Sequence, residues 1–161
     1  MADVSILDQR RIEARFAGQM LKTLEAELGT ERARAILAKA IISLAHSAGA
    51  EFAAAKPGNE KGDNPPDLSD LASITPLWQK EDALRIEWLE QSPDKLSFNI
   101  TRCRYAETYR EMGLGDIGDL LSCNRDGEFC KGYNPKIQLK RTQTIMKGAT
   151  HCDFRYTMAK D

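Results

Sequence analysis

Apolar positions in the first fifty residues recur at helical spacing. Ile12, Phe16, Met20 and Leu24 fall every fourth residue, with Leu21 and Leu28 beside them, which predicts an amphipathic helix with one apolar stripe. Gly29 is placed to stop that helix and Thr30 to cap the next. The second helix carries Ala33, Ile36, Leu37, Ala40, Ile41, Leu44, Ala48 and Phe52, an alanine-rich face that permits close helix approach. The simplest arrangement is an antiparallel pair joined at Gly29-Thr30. Lys56 to Asp67 holds glycine, proline and asparagine without periodicity and reads as a long loop, with a lid as its functional interpretation. A short helix is expected over Asp67–Ala72, interrupted by Pro76.

Beyond residue 80 the period changes to two. Leu84, Ile86 and Trp88 alternate with Arg85 and Glu87, and Leu96, Phe98 and Ile100 alternate with Ser97, Asn99 and Thr101 across a Ser92–Lys95 turn. This predicts a hairpin with one buried face. Cys103 to Met112 reads as a helix ended by Gly113, followed by two short helices, through Leu121 and up to Gly132. Ile137–Met146 and Cys152–Met158 alternate again on either side of Gly148, predicting a second hairpin. The expected fold class is α+β: an N-terminal helix pair, then a four-stranded antiparallel sheet with helices packed on one face.

The 161 residues fit a single domain, 1–161, divided into a helical half (1–55), a loop (56–67) and an α+β half (80–158). The net charge of −1 is spread evenly, without a basic stripe, which argues against a nucleic-acid partner. Apolar runs fall short of the roughly 20 residues a membrane span needs, and no export leader is legible at the N-terminus. A cytoplasmic, reducing location follows as the expectation. The four cysteines, Cys103, Cys123, Cys130 and Cys152, are then read as thiols used for packing, metal binding or catalysis, with no CxxC pair to make a zinc ribbon.

Reactive types gather near the C-terminus. Cys123 and Asp126 flank an expected helix start, where free N–H groups lower a thiol pKa, so Cys123 is a candidate thiolate or metal ligand. His151, Cys152 and Asp153 are consecutive, but neighbours on a strand point to opposite faces, so a Cys123–His151 pair is geometrically better than a His151–Cys152 dyad. Arg141 and Arg155 each offer a fork for a carboxylate. Tyr105 and Tyr109 share a helix face and are suited to lining a pocket. Each feature also has a plain structural reading: buried packing cysteines, a surface ion pair, core tyrosines.

The runs Cys103-Arg-Tyr-Ala-Glu-Thr-Tyr-Arg-Glu-Met-Gly113, Leu121-Ser-Cys-Asn-Arg-Asp126, Gly132-Tyr-Asn-Pro135 and Arg141-Thr-Gln-Thr-Ile-Met-Lys-Gly-Ala-Thr-His-Cys-Asp-Phe-Arg-Tyr156 resemble the L-2-amino-thiazoline-4-carboxylate hydrolase family. The resemblance implies a hydrolase acting on non-peptide C–N bonds of a small cyclic amidine, turning 2-amino-thiazoline-4-carboxylate into N-carbamoyl-cysteine. Opening such a ring needs a nucleophile, a proton donor and a cation for the carboxylate, which makes Cys123, Asp126, His151 and Cys152 the catalytic candidates and Arg141, then Arg155, with Tyr105, Tyr109, Thr142 and Thr144, the substrate-binding ones. The nucleophile is left open between a Cys123 thiolate and a water activated by Asp126 or His151, with Cys152 as the alternative thiol. Gly148-Ala-Thr-His-Cys-Asp-Phe154 is also distantly similar to the vinyl-4-reductase-type small-molecule-binding domain. There, cysteines at places like Cys123 and Cys152 help bind zinc, but Thr144 stands where a further cysteine is expected. No cofactor is expected, zinc at Cys123 and Cys152 being the exception to test. A homo-oligomer and a small-molecule substrate are the expected partners. The alternative function is a non-catalytic sensor of a small heterocyclic or aromatic acid.

Overall fold

The computed structural model describes residues 4–160; Met1–Asp3 and Asp161, and with them part of the N-terminal stretch read for a leader, lie outside the described residues. The chain runs α1 (Ile6–Leu28), α2 (Thr30–Ala54), α3 (Leu68–Ile74), α4 (Pro76–Gln79), β1 (Leu84–Gln91), β2 (Lys95–Cys103), α5 (Arg104–Glu111), α6 (Arg125–Tyr133), β3 (Ile137–Lys140) and β4 (Cys152–Met158). Two N-terminal helices are thus followed by an antiparallel sheet, in the order β1-β2-β4-β3, with helices against it.

The helix pair forms as expected, but its faces only in part: Leu21 of α1 and Ala33, Leu37 and Ile41 of α2 are buried as expected, while other members of the stripes are not. Ser5 caps α1 by accepting from the Asp8 N–H, and Gly29, at φ +81°, makes the turn and itself occupies the cap position of α2, which Thr30 was expected to hold. Leu7, Ala14, Gly18 and Leu21 form the buried face of α1, whereas Ile12 and Phe16 are 66% and 69% exposed and Met20 is exposed as well. The reason is close approach: a Cβ on Gly18 would lie 2.9 Å from a Leu114 methyl, so the side carrying small residues is the one that fits the core. On α2 the buried stripe is Ala33, Leu37, Ile41, Ala45, Gly49 and Ala53, again every fourth residue, with Ile36 and Leu44 left outside. A Cβ on Gly49 would strike the Phe129 carbonyl, and one on Gly132 the His46 carbonyl, so α2 and α6 cross with backbones in contact. Length and composition would allow Thr30–Ala54 to cross a membrane, which run length alone did not reveal; in the fold this helix lies against α1 and α6.

The loop before α3 is tied down rather than built as a lid. Asn59 is buried, donates to the Ala53 carbonyl and accepts from the Asn64 N–H, and Lys56 pairs with Asp70 at 2.8 Å. Asp67 and Asp70 then form a reciprocal capping box for α3.

Leu96, Phe98 and Ile100 of β2 and Cys152, Phe154 and Tyr156 of β4 turn one sheet face toward the helices, while Ser97, Asn99, Asp153 and Arg155 occupy the other. The last hairpin is shorter than the alternation predicts. β3 ends at Lys140, residues 141–144 leave the ladder, and a 3₁₀ turn over Ile145–Lys147 follows. Asp153 causes this departure: its carboxylate accepts from the Thr142 and Gln143 N–H groups and the Thr142 hydroxyl, at 2.6–2.9 Å, replacing ladder bonds with side-chain bonds.

Candidate functional site

Between the sheet and the helices lies a cavity of about 150 Å³. Phe98, Ile100, Cys152, Phe154 and Tyr156 form its sheet side, Ala45 and Ala48 of α2 its back, Leu71, Thr75 and Trp78 one flank, and Ser122, Cys123, Asp126, Phe129 and Cys130 the other. Its lining is mostly apolar and aromatic, and its volume suits one small ring. Arg10, Arg125 and Arg141 also line it.

Arg141 is the central polar contact. Because the chain leaves the ladder after Lys140, its guanidinium turns inward; Nη1 donates to Asp126 Oδ2 at 2.5 Å and Nη2 to the Cys123 carbonyl at 3.1 Å. It also lies 4.9 Å over the Phe154 ring. The Asp126 side chain is 35% exposed and is part of the cavity lining. Burial pushes the Asp126 pKa up, opposed by the Arg141 charge and hydrogen bond. Burial acts against the Arg141 charge too, but the neighbouring carboxylate outweighs it and keeps the guanidinium protonated.

All four cysteines line this cavity, and burial is the first cause that raises each thiol pKa: Cys103 to about 11, Cys130 to about 12, Cys123 and Cys152 upward. For Cys123 the charge of Asp126 adds to the rise. The helix-start argument for a Cys123 thiolate therefore fails. Cys123 closes a π-helical turn over Asp119–Cys123 that runs directly into α6, and Asp126 sits in the first turn of α6 rather than capping it. Cys123 thus lies inside a continuous helical run and not at a helix start. Cys152 Sγ instead accepts from the Ile145 N–H at 3.2 Å.

The remaining candidates divide. Tyr105 lines the cavity and donates to the Trp78 carbonyl; Tyr109 is buried in the core beside Ser122, and burial pushes its hydroxyl up to about 12. His151 lies outside the cavity lining, beside Gln143 and Thr150, so the Cys123–His151 pair does not assemble. Arg155 belongs to the far sheet face, where it donates to the Phe98 and Phe154 carbonyls and Asn99 Oδ1. Thr142 is bound to Asp153, and Thr144 caps the 3₁₀ turn; neither lines the cavity. A zinc site does not fit: among the described residues no three His, Cys, Asp or Glu side chains converge as a ligand set, and Arg141 occupies the position between Asp126 and the Cys123 carbonyl.

Sequence reasoning missed Arg10 and Arg125. Arg125 donates through Nε to the Leu121 carbonyl at 2.7 Å and through Nη2 to Glu13 at 2.8 Å; Arg10 reaches the same Glu13 through Nη1 at 3.0 Å. Periodicity offered no signal for them, because Arg10 lies on the Leu7-Ala14-Leu21 side of α1, which the apolar stripe at Ile12 and Phe16 does not mark as inner.

Helices packed against one face of an antiparallel sheet, with an aromatic-lined cavity between them, define an α+β domain. The family model for L-2-amino-thiazoline-4-carboxylic acid hydrolase matches residues 9–156, and the chain belongs to that family. No curated protein matches the chain. Among solved structures it is similar in fold to the phenol-responsive sensory domain of the transcription activator PoxR, crystallised with phenol. The TM-score is 0.52 at 15% identity, covering 90% of this chain and 73% of that one.

Proposed function

We propose that the protein is a hydrolase that opens a small cyclic amidine of the 2-amino-thiazoline-4-carboxylate type to an N-carbamoyl amino acid. The observation that carries this reading is the Asp126–Arg141 pair, a carboxyl of raised pKa held against a guanidinium inside a cavity the size of one ring. Family membership supports the reaction class.

Atom balance fixes the steps. Water oxygen bonds to the amidine carbon, the C=N bond becomes single, and the carbon–sulfur bond then breaks to release a thiol. For an N-carbamoyl product both nitrogens stay on the carbon, so the bond that breaks is C–S and not the C–N bond that the family resemblance leads one to expect. Asp126, as carboxylate, takes one water proton and delivers it to the ring nitrogen, then takes the remaining hydroxyl proton as the carbon becomes a carbonyl and delivers it to the departing sulfur. Arg141 orients Asp126 through Oδ2, leaving Oδ1 toward the water. Activated water is preferred to a Cys123 nucleophile because that thiol is held protonated by burial and by Asp126.

The test is release of free thiol from 2-amino-thiazoline-4-carboxylate by purified protein. Asp126→Asn should lower kcat by about 10²- to 10⁴-fold with ring binding retained, and Cys123→Ala should keep most turnover. Loss of activity in Cys123→Ala with activity retained in Asp126→Asn would reverse these roles. The apolar lining supports one other reading, a non-catalytic receptor for a small ring acid; binding of the ring without thiol release selects it.

A further inference from the structure

Three guanidiniums, Arg10, Arg125 and Arg141, line the cavity, and they share two carboxylates. Asp126 is committed to Arg141. Glu13 alone serves both Arg10 and Arg125, so its single negative charge faces two positive ones. The cavity therefore carries one positive charge more than its carboxylates neutralise, and a second whenever Asp126 is protonated. An apolar enclosure with uncompensated positive charge favours an anionic ligand.

The two arginines beside Glu13 are not equivalent. Arg125 is 11% exposed and divides its donors between the Leu121 carbonyl and Glu13. Arg10 spends only Nη1, on both Glu13 oxygens; its Nε and Nη2 donate to no other group among the described residues. Its side chain, 18% exposed, is more accessible than that of Arg125 and belongs to the cavity lining. Arg141 uses Nη1 and Nη2 on Asp126 and Cys123. Arg10 thus has the most unused donor capacity of the three.

We propose that the carboxylate of a small ring acid is held by Arg10, backed by the charge of Arg125, so that the acid end points to α1 and the ring toward Asp126 and Arg141. The identity of the acid rests on the hydrolase reading above; the clamp itself needs only an anionic ring in this cavity. Glu13 keeps the two guanidiniums side by side and yields part of its hold on Arg10 as the ligand arrives. Arg10 and Glu13 come from α1, so this assigns the N-terminal helix a direct part in ligand selection.

The test is calorimetry with thiazole-4-carboxylate and thiazole, two rings that lack the amidine and are not turned over. Wild type should bind the acid about 10- to 100-fold more tightly than the neutral ring, the range for a charge-assisted hydrogen-bonded pair. Arg10→Met should bring that ratio near one with thiazole affinity unchanged. Arg10→Lys, which keeps the charge but loses the fork, should fall between, and serves if Arg10→Met does not fold. A ratio unchanged in the Arg10 variants, or abolished by Arg141→Met instead, overturns the clamp. So does a wild-type ratio near one with both rings bound, and that outcome leaves the hydrolase reading intact. Failure of wild type to bind either ring while it still releases thiol from 2-amino-thiazoline-4-carboxylate overturns the clamp alone; absence of both binding and thiol release overturns both.

Discussion

Replacing Arg141 by methionine removes the cation from a buried pair and leaves Asp126 behind it. The guanidinium is 16% exposed, donates to Asp126 and the Cys123 carbonyl, and lies over Phe154. Breaking a buried pair by deleting one partner costs about 3–5 kcal/mol; because Asp126 still meets the cavity, the lower end, about 3 kcal/mol, is expected near pH 7.5. For a chain of this length that corresponds to a Tm lower by roughly 6–12 °C. The loss should depend on pH. Without Arg141 the main force holding the Asp126 pKa down is gone, so its folded value rises further above the ordinary 3.8. A carboxyl whose folded pKa lies above its unfolded one favours folding at low pH and loses that contribution as pH climbs through the folded pKa. The variant should therefore be closest to wild type near pH 5 and fall behind toward pH 8, with a slope of up to about 1.4 kcal/mol per pH unit. Urea denaturation between pH 5 and 8 measures this directly, with Asp126→Asn/Arg141→Met as the control that should flatten the profile. A deficit that stays constant across that range, equal in the single and double variants, refutes the account of Asp126 as a buried carboxyl restrained by Arg141.

Other expectations follow from the same contacts. Burial acts to raise the Asp153 pKa, but hydrogen bonds from Thr142 and Gln143 outweigh it and hold the carboxyl at about 2. Its contribution should thus be present above pH 4 and disappear as pH falls to about 2; Asp153→Asn should cost about 1 kcal/mol after allowance for solvent screening, read by acid denaturation. Gly49→Ala should destabilise by about 3 kcal/mol or more, because its methyl meets a backbone carbonyl, whereas Gly127→Ala, in open space on α6, should be neutral or gain up to about 1 kcal/mol; thermal unfolding compares the two. Leu21→Ala should cost about 2–5 kcal/mol and Phe16→Ala less than about 1 kcal/mol, the reverse of what residue size suggests, if the exposed stripe of α1 is solvated.

The element order was legible because it depends on local rules. Periods of 3.6 and 2 and a glycine stop at Gly29 each act over a few residues, and the structure keeps them. The split of β4, with Cys152, Phe154 and Tyr156 on one side and Asp153 and Arg155 on the other, follows from strand geometry alone. Motif resemblance reached the family for the same reason: its residues lie in short continuous runs.

Which surface of each helix is inner was decided only by the tertiary structure. Periodicity shows that α1 has an apolar stripe, yet Ile12 and Phe16 face outward because Leu114 fits closely against Gly18 and Ala14 is buried on that same side. The end of the last hairpin likewise depended on Asp153 capturing the backbone of Thr142 and Gln143 eleven and ten positions away. The site shows the limit most clearly. Cys123, Asp126 and Arg141 meet and His151 does not, and Glu13 reaches Arg125 across 112 residues. Charge types and spacing are written locally, but the burial that raises a thiol or a carboxyl pKa is a property of everything folded around it.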